Sequence, residues 1–244
     1  SARERAETFP RMNLKSQVKS KERVEEHGEV FTNEREVNAM CDLVKQETER
    51  IDSRFLEPAC GDGNFLIEIL RRKLEIVKKK YKKSHYDYER FSLLALGSIY
   101  GVELLGDNVK ACRNRLFEYW KKEYKECCKK DANKQTEESA RFILSRNIVQ
   151  GNALTLKCVD DNGNDIENPI VFSEWSFPSN DARMQRNDYT LDELLKGNTE
   201  RTKNRAKIEK EGQLDILTTQ EENNDEGKFL KQYIAHYKRI NEGE

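Results

Sequence analysis

Histidine and proline are scarce in this chain, with three and four residues among 244. The histidines are scattered. The six cysteines (Cys41, Cys60, Cys112, Cys127, Cys128 and Cys158) contain no C-x-x-C pair. The ligand spacing of a structural zinc site is therefore missing, and no metal is expected. No apolar run approaches the roughly 18 residues of a membrane-spanning helix, and the opening residues carry no secretory signal. Reduced thiols in a cytoplasmic protein, with no membrane partner, are the expectation. Net charge is also nearly absent: 44 Lys and Arg against 45 Asp and Glu leave −1. That total hides strong local clustering and points to no class of partner by itself. Apolar residues reach only 36%, the same share as charged ones. A core is expected, but much of the chain must be solvated helix face, loop or disorder. The length suits one α/β domain with a sizeable core and some appended segments.

Along the chain, residues 1–26 read as a polar arm or surface helix. A loop through Phe31 and Thr32 leads to Asn33, which suits a helix cap with Glu36 three residues on. Val37, Met40, Cys41 and Val44 follow at helical spacing. A first strand is expected at 54–56, then a glycine turn. A long helix comes next, marked by Phe65, Ile67, Ile69, Leu70, Leu74, Ile76 and Val77, and it ends in the basic run Lys78–Lys83. Cations there complement the helix dipole. A helix over 86–96, a strand over 98–103 and a helix from Asp107 or Asn108 come next. Residues 121–140 read as a helix end and loop, and 147–154 as a third strand with its exit. Turn chemistry fills 160–169, and a short fourth strand at 170–172 runs into 173–178. Beyond 179 the periodicity fades to a helical turn or two at 190–195 and a polar stretch. Phe229, Tyr233, Ile234 and Tyr237 suit a terminal amphipathic helix. The boundaries expected are 1–26, 27–178 and 179–244.

The stretch that organises the rest is FLEPACGDGNFL, residues 55–66. A strand, a turn with Gly61 and Gly63, and a helix N-terminus fall within a dozen residues. Glycine permits positive φ and close approach of a ligand, and the helix start offers unpaired N–H groups. Such a turn also serves purely structural ends. The order helix, strand, Gly-turn, helix, strand-Glu, helix, strand-Gly-Asn is one half of a doubly wound, mostly parallel α/β sheet. Asp62 and Glu103 should both stand at the carboxyl ends of strands, where such sheets bind ligands. An acid ending the second strand accepts hydrogen bonds from a ribose diol, or is simply a solvated strand end. A nicotinamide fingerprint wants a third glycine where this chain has Leu66, so the nucleoside expected is a different one.

Four blocks occur in order: GEVFTN (28–33), FLEPACGDGNFL (55–66), YGVELLGDNVKACRNRL (100–116) and IVQGNALT (148–155). Over residues 25–157 the chain resembles the N6-adenine DNA methyltransferases of restriction–modification systems. The resemblance implies a class-I S-adenosylmethionine (SAM)-dependent methyltransferase fold, here with an N-terminal helical extension, and SAM as cofactor. It implies that Phe31 and Thr32 lie against the methionine, with Glu57, Ala59, Gly61, Asp62 and Gly63 around it. Glu103 would hold the ribose and Leu104 would flank the adenine. Asn152 stands where the family has an adenine-binding Asp. The family's catalytic Asn/Asp/Ser-Pro-Pro-aromatic tetrapeptide is missing. Asn168-Pro169-Ile170-Val171 lacks the ring, and Ser173-Glu174-Trp175-Ser176 lacks the proline. Glu174 and Trp175 are the catalytic candidates, against a Trp that simply packs in a core.

For DNA, the run from Arg71 to Lys83 with Tyr81, and the pair Arg183 and Arg186, are candidate contacts; a solvated helix face explains them equally. A DNA-reading domain has little room after 178, which implies a separate specificity subunit. The function expected is a SAM-dependent DNA adenine-N6 methyltransferase or the modification subunit of a restriction–modification system. The rivals are a non-catalytic SAM-fold subunit that scaffolds an active partner, and a methyltransferase acting on something other than DNA.

Overall fold

The computed structural model describes residues 32–179, 181–196 and 229–242. The arm expected over 1–26, Phe31, and the polar stretch between 197 and 228 lie outside the described residues. Asn33 does cap a helix: its side-chain oxygen accepts the Glu36 N–H at 3.0 Å, starting α1 (Glu34–Leu43). Val37 and Cys41 on α1 bury into the main core. One further turn, α2 (Lys45–Thr48), precedes β1 (Phe55–Glu57).

Helix α3 (Asn64–Tyr81) buries Leu66, Ile69, Leu70, Leu74 and Val77, the three-and-four spacing of a core-facing stripe. Helix α4 (His85–Gly97) is capped by Ser84. It is buried on most sides because it packs against α3, α5 (Gly106–Cys128) and α6 (Lys134–Asn147). Strands β1, β2 (Ile99–Glu103) and β3 (Ile148–Gln150) form a parallel sheet in that order, with Phe55 opposite Ile99 and Gly101 opposite Ile148. Each connection runs through two helices, α3 and α4, then α5 and α6. The middle strand β2 is buried along its whole length, as a parallel strand covered on both faces must be. Its alternation sends Ile99 into the helix-lined core. Tyr100 and Val102 point the other way, onto Ile170, Phe172 and Leu191.

Past β3 the chain changes character. Strands β4 (Lys157–Val159) and β5 (Asp165–Pro169) make an antiparallel hairpin, so the turn chemistry expected throughout 160–169 covers only its first half. Strands β6 (Val171–Ser176), β7 (Arg183–Thr190) and β8 (Lys231–His236) form a second antiparallel sheet. The start of β6 is fixed by Ile170, whose side chain fills the space over Gly151, just past the carboxyl end of β3. Farther along, the Ser173 N–H donates at 3.2 Å to the side chain of Asn147, immediately before β3. Strand β6 therefore descends across the second face of the parallel sheet instead of extending it. Parallel pairing stops at three strands among the described residues, short of the mostly parallel sheet expected.

The described part of the chain beyond 178 is not an irregular tail. Strand β7 pairs with β6 across that expected boundary, and β8 occupies the place of the expected terminal helix. Phe229, Tyr233 and Tyr237 recur every four residues and so imitate a helix. In the strand, Tyr233 and Ala235 are partly buried while Ile234 is 55% exposed, which hides the period of two. Glu89 on α4 fastens this end of the chain. One carboxylate oxygen accepts the Tyr237 phenol at 2.6 Å and lies 3.0 Å from the Lys238 ammonium. The other accepts the Tyr124 phenol at 2.6 Å and the Asn133 amide at 2.8 Å.

Candidate functional site

The carboxyl ends of β1, β2 and β3 open onto one edge of the parallel sheet. From β1 the chain enters Pro58–Gly63, where Gly61 and Gly63 hold φ of +52° and +91°. That left-handed region is open to glycine and costly for other residues. A Cβ at Gly63 would stand 2.8 Å from the Cys112 sulfur on α5, and one at Gly101 would stand 2.9 Å from the Cys60 sulfur. The turn thus lies pressed against β2 and α5, with the Cys60 N–H donating to the Val102 carbonyl at 2.9 Å. The Cys60 thiol is pushed up by its hydrogen bond with Cys112 and by burial, which makes it a packing group and not a nucleophile.

Glu103 joins this turn to the next. One of its carboxylate oxygens accepts the Gly61 N–H at 2.8 Å and the other accepts the Leu105 N–H at 3.0 Å. At 9% exposure the carboxylate is held, yet a carboxylate has lone pairs beyond those two bonds for a ligand's hydroxyls. Asp62 is braced by Arg115 at 3.3 Å, and the same guanidinium donates to the Asn64 side chain at 2.5 Å. Asn64 donates in turn to the Thr32 carbonyl at 3.4 Å, which brings the exposed Thr32 to the rim. Burial pushes the Glu57 carboxyl above the usual range, with the Ala59 N–H pulling the other way; Ala59 itself is exposed.

Beyond Glu103, Leu104 forms one wall of a cavity of about 800 Å³, a size typical of small-molecule sites. Helix α5 contributes Gly106, Val109 and Lys110, β3 contributes Gln150, and the β4–β5 turn contributes Asp161, Asn162 and Gly163. Gln150 donates its amide to the Leu104 carbonyl at 3.1 Å. Asp160 builds the turn by accepting the N–H groups of Asn162 and Asn164, both at 2.9 Å, and these bonds hold its carboxyl below the usual range.

Thr32, Glu57, Gly61, Asp62, Gly63, Glu103 and Leu104 are thus gathered along one edge. Asn152 is not among them. Its oxygen accepts the Leu154 N–H and its amide donates to Asp165, both at 3.0 Å, and it does not line the cavity. Glu174 and Trp175 lie at the opposite end of the sheet. Glu174 pairs with Arg54 at 2.9 Å. Trp175, 5% exposed, covers Gly97 just before β2 and meets Phe142 edge-on, so it offers no ring face to a base. The reason is the course of β6, which carries Glu174 to the amino end of β1 and Trp175 to that of β2.

Four of the eight cations from Arg71 to Lys83, namely Arg71, Arg72, Lys73 and Lys78, are held within the chain. Arg71 and Arg72 share Glu68 at 2.7 Å, Lys78 meets Glu126 at 2.8 Å, and Tyr81 stacks on Phe91 at 4.1 Å. Arg183 holds Asp181 at 2.6 Å, and Arg186 is buried against Asp188 at 3.0 Å. Sequence reasoning missed Arg115, Gln150 and the wall made by the β4–β5 turn. Arg115 had a signal, since it lies three residues after Cys112 and hence on the helix face that meets the glycine turn. The contact of the hairpin with Leu104 is long-range and had none. Among the described residues no group of three His, Cys, Asp or Glu could hold a metal ion, and no helix is long and apolar enough to cross a membrane. No family model matches the chain, and no curated protein or solved structure matches it.

Proposed function

We propose that the chain binds S-adenosylmethionine across the carboxyl ends of β1 and β2, as the cofactor-holding part of a DNA adenine-N6 methyltransferase in a restriction–modification system. In this reading β1 to β3, with their paired helices, are the first half of a class-I methyltransferase sheet. The observation that carries it is Glu103. Its carboxylate is fixed by the Gly61 and Leu105 N–H groups between the glycine turn and the 800 Å³ cavity, so a ribose there reaches both. Gly61 leaves no side chain in the way of the amino-acid end, Gly63 lets the turn press against Cys112, and Thr32 and Glu57 stand beside it. Leu104 gives the base an apolar wall. When bound, the cofactor supplies a methyl group activated on sulfur. The chain's own part is to orient it and exclude water.

A second reading is favoured by one observation, the placement of Glu174 and Trp175 at the amino end of the sheet. In that reading the chain is a SAM-fold subunit whose partner provides the groups that touch the target amine. The pairing of Arg71, Arg72, Arg183 and Arg186 within the chain supports reading of DNA by a separate specificity subunit in either case. The test is a calorimetric titration with SAM, followed by tritiated-methyl transfer to unmodified DNA with the chain alone and with partner proteins. Saturable binding with transfer by the chain alone supports the enzyme. Binding with transfer only when a partner is added supports the second reading, binding with no transfer in any combination contradicts DNA methylation in either reading, and absence of binding removes both.

A further inference from the structure

We propose that the outer edge of β1 receives a strand from a partner chain, an extended, uncharged and apolar segment that adds to the parallel sheet. Among the described residues β1 pairs with β2 alone. The Phe55 N–H faces β2 and donates to the Ser98 carbonyl at 2.9 Å. In a parallel ladder the N–H and C=O of the next residue face the other way. Leu56 therefore turns one donor and one acceptor outward, and neither is met among the described residues. Sheet edges are ordinarily guarded by a charge, a proline or a bulge. The outward residue of this edge is a leucine, 36% exposed.

Beside that edge lies a groove of about 70 Å³, lined by Leu56, Tyr100, Phe172, Leu191 and Leu194 and continuous with the second core cluster. It is far below the roughly 300–1,000 Å³ of a small-molecule site and suits an aliphatic side chain. The Tyr100 phenol is buried there with no hydrogen-bond partner, so an occupant that brings an acceptor completes it. Arg54, the one charged residue lining the groove, is met by Glu174 at 2.9 Å, and the complementary occupant therefore carries no charge. An open backbone edge next to a hole for one side chain is the combination that strand addition uses. Strands pair about 4.8 Å apart, so one end of the added strand stands beside Glu57 and the glycine turn. Resting on the second reading above, this is where a partner brings the groups that touch the target amine.

The test is fluorescence anisotropy with a dye-labelled peptide, Lys-Val-Thr-Val-Ile-Val-Lys, and its fully N-methylated counterpart, on the wild-type chain and on Leu56→Asp. The wild type should bind the plain peptide saturably and the N-methylated one roughly tenfold or more weakly, because a blocked N–H cannot pair with the Leu56 carbonyl. Leu56→Asp sets a charge at the groove and should lose roughly tenfold or more on the plain peptide, with SAM affinity unchanged. The Leu56 amide should exchange fast in the chain alone and slowly with peptide bound. Equal affinity for the two peptides, or an unaffected Leu56→Asp, overturns the proposal. Slow Leu56 exchange in the monomeric chain alone assigns the edge to the chain's own residues. Self-association in sedimentation that Leu56→Asp abolishes assigns it to a second copy. Either result overturns a partner strand. Peptide binding without SAM binding keeps the docking and removes the SAM reading, and SAM binding without peptide binding does the reverse.

Discussion

Replacing Glu89 with alanine should loosen one end of the fold more than the rest. The carboxylate is buried and is the shared acceptor for the Tyr124 and Tyr237 phenols, the Asn133 amide and the Lys238 ammonium. Its loss strands donors on residues that have little water access, since Tyr124 and Tyr237 are also buried. Breaking a buried charged pair on one side costs about 3–5 kcal/mol, a large share of the ~5–15 kcal/mol that holds a domain together. Tyr237→Phe removes one hydrogen bond to a charged acceptor and should cost about 1.5–3 kcal/mol.

Because Tyr237 and Lys238 directly follow β8, the Glu89 variant should also lose hydrogen-exchange protection across Lys231–His236 before the parallel sheet does. Burial, and then the bond to Glu89, push the Tyr237 phenol above its ordinary 10.0. The fold thus holds the neutral phenol, and stability should fall as pH rises past about 10. Urea unfolding followed by circular dichroism gives the first number and exchange mass spectrometry gives the second. A Glu89→Ala protein within about 1 kcal/mol of wild type, or one with β8 protection intact, refutes the role assigned to this carboxylate.

Other perturbations test other parts. Gly63→Ala meets the Cys112 sulfur and a φ of +91°, so it should lower the denaturation midpoint and weaken SAM binding together; a wild-type midpoint contradicts the packing described. Trp175→Ala should cost about 3–5 kcal/mol as a core truncation while SAM affinity stays the same, and a selective loss of binding would show that the indole serves the site. Lys73 is buried and donates to the carbonyls of Arg50, Ile51 and Ser53, and burial pulls its ammonium from 10.5 down to about 7. With the folded value below the unfolded one, the charge weighs against the fold at pH under about 7, and that penalty fades as pH climbs toward 10.5. Stability of the wild type should rise with pH across that window relative to Lys73→Met; parallel pH profiles contradict it.

The glycine turn, the strand ending at Glu103 and the helices between them were legible because each carries a strong local signal. Gly61 and Gly63 do adopt positive φ, and the apolar stripe of α3 falls where its spacing puts it. The second half was not legible, for a physical reason. The core side of β7 presents Met184, Arg186 and Asp188, all buried, because Asp188 pairs with both Arg186 and Arg146. A strand whose inner face is charged has no alternating hydrophobicity to read. Strand β5 is exposed throughout, and it is held by pairing with β4 across a turn that Asp160 closes. The direction of β6 depends on Ile170 over Gly151 and Asn147 on Ser173, contacts that no local pattern encodes. The catalytic candidates therefore pointed to a strand end that lies far from the pocket.

The central claim is that Glu103 holds a nucleoside cofactor between the glycine turn and the cavity beside Leu104. Calorimetric titration of SAM into the wild type and into Glu103→Gln tests it most directly. The claim requires one saturable site in the wild type and a loss of roughly 10- to 100-fold in the variant, which keeps an acceptor for one N–H but no longer a carboxylate for the hydroxyls. No binding by the wild type, or equal affinity in a folded Glu103→Gln, contradicts it.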